Sequence, residues 1–327
     1  MKHKPNILIA VWHDCGRHFG CYGVQTINTP NVDALAADGL RCTNHFSTST
    51  VCSPSRASLL TGRYPQSHGL LGLAHAPSYW VMNDGERHLT HYLRDEGYHT
   101  CLCGWQHETT HETIDTKLAF DEKYHHDPLP DAGTVAGSAI EFLRSRRGRT
   151  EPFYLQVGFW EAHVPFNKFG LSPPDTSRGV DIPGLYVDND AARETFARLQ
   201  GDIRFADGQL GTILDELRSL GLEENTLVVF TIDHGYEVTR AKATLYDTGI
   251  AVPLIMRWPG GGIAGGTTYE GLTSHVDFIP TLFRLLGKDV PDRVEGVDFA
   301  PTAGTGREEA GRREIHAIWH GNDSRCI

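Results

Sequence analysis

The 327-residue chain is 39% hydrophobic and 22% charged, a balance that fits one large α/β domain or one domain with a small appendage. No apolar run approaches the length of a membrane span, and the formal charge of −11 argues against non-specific binding to nucleic acid or anionic membrane. The seven cysteines are odd in number and lack paired C-x-x-C spacing, which excludes a disulfide framework or zinc ribbon as the first reading.

The opening MKHKPNILIAVW passes straight into a strand-like segment, without a separate apolar stretch and cleavage site, so a cytoplasmic protein is expected. Within it, NILIAVW (6–12) is continuously apolar, as a central parallel strand buried on both faces requires. Thr29-Pro30 reads as an N-cap followed by an N1 proline, opening a short helix that closes near Gly39. A helix follows Cys52, and another runs from about Leu89 to Glu96 before Gly97. YHTCLC (98–103) is strand-like, Gly133 to Arg147 helical, and PFYLQVGFW (152–160) a further strand. The polar, Pro/Gly-rich stretch from Phe166 to Pro183 reads as a surface loop, a candidate substrate-binding insertion. From Ala191 to Leu220, Phe196, Leu199, Ile203, Ala206, Leu210, Ile213 and Leu217 recur every three or four residues, and Gly221 supplies the stop. TLVVFTI (226–232) and PLIMRW (253–258) are strands, Val276 to Leu286 is a helix, and REIHAIWHGNDSRCI begins a strand and turn.

This alternation predicts a doubly wound α/β fold, a mostly parallel sheet flanked by helices. In such folds ligands bind beyond the carboxyl ends of the strands. Four of those ends carry acid/histidine clusters: His13-Asp14, Gln106-His107-Glu108, Glu161-Ala162-His163 and Asp233-His234-Gly235. Asp14, Asp233 and His234 suit a divalent cation, although an aspartate after a strand also serves as an ordinary cap. His107 and His163 suit proton transfer near neutral pH. Arg56 and Lys242 suit an oxyanion, the first through bidentate hydrogen bonds and the second as a point charge. Cys52 at a helix N-terminus is favoured as a thiolate, and the same helix end suits an anion. On these residues alone a Cys-His hydrolase and an anion-binding metal site both remain open.

Cys52-Ser53-Pro54-Ser55-Arg56, followed by ASLLTGR (57–63), resembles the sulfatase signature, in which Cys-x-Pro-x-Arg directs oxidation of the cysteine to formylglycine. PNILIAVWHD, GCYG, TPNVDALAADG, GWQHE, TLVVFTIDHG and KATLYDTGIAVPLIMRWPG match the family in the same order across nearly the whole chain. PFYLQVGFWEAH and the general spacing are most similar to the heparan N-sulfatase (sulfamidase) branch. The resemblance implies an alkaline phosphatase-like fold, with a catalytic domain over 1–300 and the start of an incomplete C-terminal subdomain over 301–327.

It also implies roles. Asp14, Asp233, His234 and Cys52 (as formylglycine) would ligate one divalent metal ion, with His13 as a further candidate. Arg56 would orient the formylglycine, His107 would stand near its geminal diol, His163 near the leaving group, and Lys242 on the sulfate. In the family, one hydroxyl of the hydrated aldehyde attacks sulfur and expels an alcohol or amine. Loss of a proton from the other then lets the diol collapse and eject sulfate. The implied partners are a sulfated small molecule or saccharide and a formylglycine-generating maturation enzyme; no nucleic-acid or membrane partner is expected, and oligomerisation is left open.

Calcium is the first expectation for the metal, but His234 stands where relatives often carry asparagine, and imidazole suits manganese or zinc better. His13-Asp14 replaces the usual Asp-Asp, and Gly104-Trp105-Gln106-His107 lacks the lysine of Gly-Lys-x-His. Two other readings fit the same motif: a phosphonate monoester or phosphodiester hydrolase, and a non-catalytic binder of sulfated glycans.

Overall fold

The computed structural model describes residues 4–126, 129–300, 312–319 and 324–326. Its main sheet has eight strands: β1 (Asn6–Trp12), β2 (Leu40–Phe46), β3 (His99–Gly104), β4 (Glu122–Tyr124), β5 (Phe153–Gly158), β6 (Thr226–Ile232), β7 (Leu254–Arg257) and β8 (Thr267–Ser274). Their spatial order is β4-β3-β5-β1-β6-β7-β2-β8. All neighbours pair in parallel except β7, which runs antiparallel to both β6 and β2. The mostly parallel, doubly wound sheet expected from the sequence is therefore present, with one reversed strand.

The nine α-helices among the described residues are α1 (Pro30–Asp38), α2 (Cys52–Thr61), α3 (Pro65–His68), α4 (Leu89–Asp95), α5 (Ile114–Lys117), α6 (Ala132–Ser145), α7 (Asp190–Ser219), α8 (Asp247–Ile250) and α9 (Phe278–Leu285). They form a layer on each face of the sheet, and β1 shows why its sequence is apolar throughout. Leu8, Ala10 and Trp12 enter one core with residues of α1, α6 and α7. Ile7, Ile9 and Val11 enter the other, with residues of α2, α4 and α9. Alternate residues face opposite layers, and both layers are dry, so a period-2 pattern is invisible in the sequence.

The 30-residue α7 buries Phe196, Leu199, Ile203, Ala206, Leu210, Ile213 and Leu217, the stripe its spacing predicts. It ends just before Gly221, whose φ of 68° lies in the left-handed region that glycine enters without a Cβ clash. Thr29 precedes α1 as expected, but its side chain does not cap the helix; Thr29 Oγ1 instead accepts from Gly20 N at 3.1 Å. Among the described residues six cysteines are free thiols, and no helix is long and apolar enough to cross a membrane.

β9 (Ala317–Trp319) and β10 (Ser324–Cys326) form a separate antiparallel pair. Ile318 N donates to Thr48 O at 3.0 Å, which fastens this hairpin to the segment that leads into α2. Most of the expected 301–327 subdomain start, including 301–311, lies outside the described residues.

Candidate active site

β3, β5, β1 and β6 are consecutive across the sheet. The four acid/histidine clusters therefore issue from four adjacent carboxyl ends. The sequence fixes which residues follow each strand; the parallel pairing turns them towards one crevice.

Helix α2 supplies the crevice with Cys52. Every residue from Cys52 to Thr61 is buried, although the stretch is rich in hydroxyls. Each serine has its own partner, as burial demands: Ser53 Oγ accepts from Ala74 N at 2.9 Å, and Ser58 Oγ lies 3.1 Å from His68 Nε2. Ser55 Oγ donates to the carbonyl of Asp233 and lies 3.0 Å from His275 Nδ1. The helix that carries the cysteine is thus bonded directly to the backbone of a β6-end carboxylate. Val51 precedes it in extended conformation with no side-chain cap, leaving the first amides of α2 free of one.

Cys52 Sγ lies 3.2 Å from His234 Nε2 and 3.8 Å from Asp14 Oδ1. His234 Nε2 is 2.8 Å from Asp14 Oδ1. Asp233 Oδ1 accepts from the amides of Asp14 at 3.1 Å and His234 at 2.9 Å. Arg56 Nε donates to Asp233 Oδ2 at 3.0 Å, and Nη2 donates to Trp12 O at 3.2 Å. Arg56 is wholly buried, so it supports Asp233 from behind. Asp14 adopts φ 52°, a left-handed conformation that aspartate tolerates better than most residues.

Ligand-type atoms of His13, Asp14, Cys52 and Asp233 all fall within 4.8 Å of one another. His13 Nδ1 lies 3.0 Å from Asp233 Oδ2 and 3.8 Å from Asp14 Oδ1, and Nε2 is buried without a hydrogen-bond partner. Two buried carboxylates with the imidazole of His13 and Cys52 beside them fit a divalent cation, and His234 adds a second imidazole. The mixed N/O donor set matches manganese or zinc at least as well as calcium.

The charges interlock. Burial opposes the Asp14 carboxylate, but Lys242, His234 and His163 outweigh it and hold its pKa well below the usual range. Burial and Arg56 oppose protonated His13, yet Asp233 and Asp14 raise it to about 9. For Cys52, burial is overcome by Lys242 and His234, which pull the thiol well below its usual value despite Asp14. Lys242 Nζ donates to Asp14 Oδ2 at 2.8 Å, pairs with Glu237 Oε1 at 2.9 Å and lies 3.3 Å from His163 Nε2.

The two outer histidines are driven apart. His163 Nδ1 lies 3.0 Å from Glu237 Oε2 and 2.6 Å from Val164 O. Despite burial, Asp14 and Glu237 raise His163 to about 10. His107 is buried and pushed down to about 4, in spite of the neighbouring Cys52, and stacks on His75 with ring centroids 4.8 Å apart. Residues pushed in opposite directions within one site are suited to opposite proton duties.

All the residues singled out from the sequence are brought to this crevice, with Arg56 set behind it. Sequence reading does not single out Glu237, which orients His163 and Lys242; its signal was its place three residues past the Asp233-His234 pair. Trp105 is also unforeseen in its role. It packs against His107 at 5.0 Å and Trp160 at 5.7 Å, so an indole wall stands at the position where the family resemblance implies a lysine. Gln106 folds into its own turn, Oε1 accepting from the amides of Glu108 and Thr109.

A mostly parallel sheet with a carboxylate and imidazole cluster beyond β1 and β6 defines an α/β protein of the alkaline phosphatase-like class. Within that class, the sulfatase family model matches residues 5–288, and the chain belongs to the sulfatase family. It is similar to an ulvan-active sulfatase of Formosa agariphila, 29% identical over 335 residues that cover 91% of this chain and 55% of that protein. It is also similar to arylsulfatase A of Homo sapiens, 30% identical over 356 residues covering 94% of this chain and 69% of that one. The phosphonate monoester hydrolase of Agrobacterium radiobacter shares the fold at a TM-score of 0.74 and 23% identity, over 97% of this chain and 80% of that one. The chain spans little more than half the length of two of the ulvan-active sulfatases it matches and 67% of a third.

Proposed function

We propose that the protein hydrolyses a sulfate monoester through a formylglycine formed from Cys52. The observation that carries this is the setting of Cys52: first residue of α2, within 4 Å of both His234 and Asp14, inside a family whose signature it bears. Formylglycine supplies a hydrated aldehyde with one hydroxyl to attack and one to drive release of sulfate. A divalent cation, which Asp14, Asp233, His234 and His13 would hold together with residue 52, supplies charge withdrawal from the sulfate oxygens.

The chain's own groups do the rest. The free amides of α2 and the ammonium of Lys242 favour an anion at this place. Glu237 fixes His163 through Nδ1 and leaves Nε2, beside Lys242, to protonate the departing oxygen. His107, kept neutral by burial, accepts a proton from a hydroxyl on residue 52. Arg56 keeps Asp233 ionised and oriented. Trp105 and Trp160 exclude water from the side of His13.

An aryl sulfate, an aryl sulfamate and an aryl phosphonate are to be compared at equal concentration, with and without EDTA. Sulfate ester turnover that is the fastest of the three and is lost on chelation and regained with manganese or calcium is expected. Preference for the phosphonate would overturn the assignment, and sulfamate preference would place the chain with the sulfamidases.

A further inference from the structure

His107 follows closely on the end of β3, and the backbone there is tied on both sides. Trp105 N donates to Gly158 O at 2.9 Å, and His107 N donates to Glu108 Oε2 at 3.0 Å. The imidazole itself is set by its ring neighbours. Trp105 meets it at 5.0 Å, tilted by 57°, whereas His75 lies parallel to it, with 6° between the planes and 4.8 Å between centroids. That spacing is an offset stack. His107 is 5% exposed while His75 is exposed, so the outer ring covers the inner one.

His75 is itself fixed, and to the helix that carries Cys52. Ala74 N donates to Ser53 Oγ at 2.9 Å, and Leu70 and Ala74 are buried. The His75 carbonyl accepts from the amides of Ser78 and Tyr79, each at 3.0 Å, which closes a turn around it. His75 Nδ1 lies 2.8 Å from Ala76 O. A carbonyl only accepts, so Nδ1 carries a proton, and the ring cannot swivel without losing that bond. One rigid element, α2, thus sets residue 52 directly and the His75 ring through Ser53, and the His75 ring lies on His107.

We propose that His75 is a positioning residue, whose stack holds the His107 imidazole in the plane that meets a hydroxyl on residue 52. This rests on the formylglycine reading for the proton that His107 accepts; the packing of the two rings stands apart from it. His75 touches no reacting atom in this role. It contributes a flat, anchored surface, so another aromatic face serves as well as an imidazole. A methyl group in its place leaves the His107 ring free to tilt, and proton transfer between positioned groups falls steeply with misplacement.

Aryl sulfate kinetics of the full chain, produced with a formylglycine-generating enzyme, test the role. His75→Ala is expected to lower kcat by about 10- to 10²-fold, the scale set by displacing a reacting group by about 1 Å, with KM unchanged. His75→Phe is expected to restore most of that loss. Unchanged kcat in His75→Ala, an equal loss in both variants, or a raised KM with kcat kept would overturn the proposal. Modification of histidines by diethyl pyrocarbonate, located by peptide mass spectrometry, reads the packing without turnover. His107 is expected to be protected in wild type and in His75→Phe, and to lose that protection in His75→Ala. A His107 that reacts in wild type, or that stays protected in His75→Ala, would also overturn it. Failure of the formylglycine reading would show separately, as absence of turnover in wild type with this protection pattern intact, and would overturn the proton role while leaving the stack in place.

Discussion

Replacing Asp233 by alanine is expected to remove bound metal and to lower turnover to below about one-thousandth of wild type, since even one electrostatic contact to a transition state is worth about 10²–10³ in rate. Asp233 is the hub of the crevice: Oδ1 takes the amides of Asp14 and His234, and Oδ2 takes Arg56 Nε. The substitution strips a cation ligand and also leaves the Arg56 guanidinium buried without its partner. Breaking a buried ion pair in this way costs about 3–5 kcal/mol, so a lower melting temperature is expected as well. Metal analysis by mass spectrometry and calorimetric melting check both parts. A variant with full metal content and unimpaired turnover would remove Asp233 from the site.

Lys242→Ala is expected to behave differently. Its side chain is about one-sixth exposed. Asp14 loses one cation but keeps His234 at 2.8 Å, and Glu237 keeps His163 at 3.0 Å. The variant should therefore fold and retain metal while kcat falls by about 10²–10³. Its melting temperature should stay close to that of wild type. Unchanged kcat would show that Lys242 does not meet charge developing in the reaction. Loss of metal together with activity would make it a support for Asp14 instead.

Much of this was legible in the chain itself, and the reasons for the rest are physical. NILIAVW and TLVVFTI declare central strands because both faces of each are dry. The residues after them declare a site because parallel strands point their carboxyl ends one way. What sequence does not contain is the lateral order β3-β5-β1-β6, and that order brings four clusters together.

The strands not foreseen are β2, β4 and β8. LRCTNHF and TTYEGLTS are interrupted by Arg41, Asn44, Glu270 and Gly271 and are only partly buried, so neither a continuous nor a cleanly alternating pattern shows. The reversal of β7 is likewise silent, since PLIMRW reads the same in either direction. At the site, ligand-type residues are visible by kind, but support is not. That Arg56 lies behind Asp233, and that Glu237 holds His163, depends on distances between segments some 70 to 180 residues apart.

The central claim is the conversion of Cys52, and the mass of the peptide that carries it tests this most directly. The full chain is to be produced together with a formylglycine-generating enzyme, digested and measured. The account predicts a peptide in which the cysteine –CH2SH has become –CHO, at an occupancy that rises in step with aryl sulfate turnover. A peptide that keeps its thiol under those conditions, in protein that nonetheless hydrolyses aryl sulfate, would contradict it.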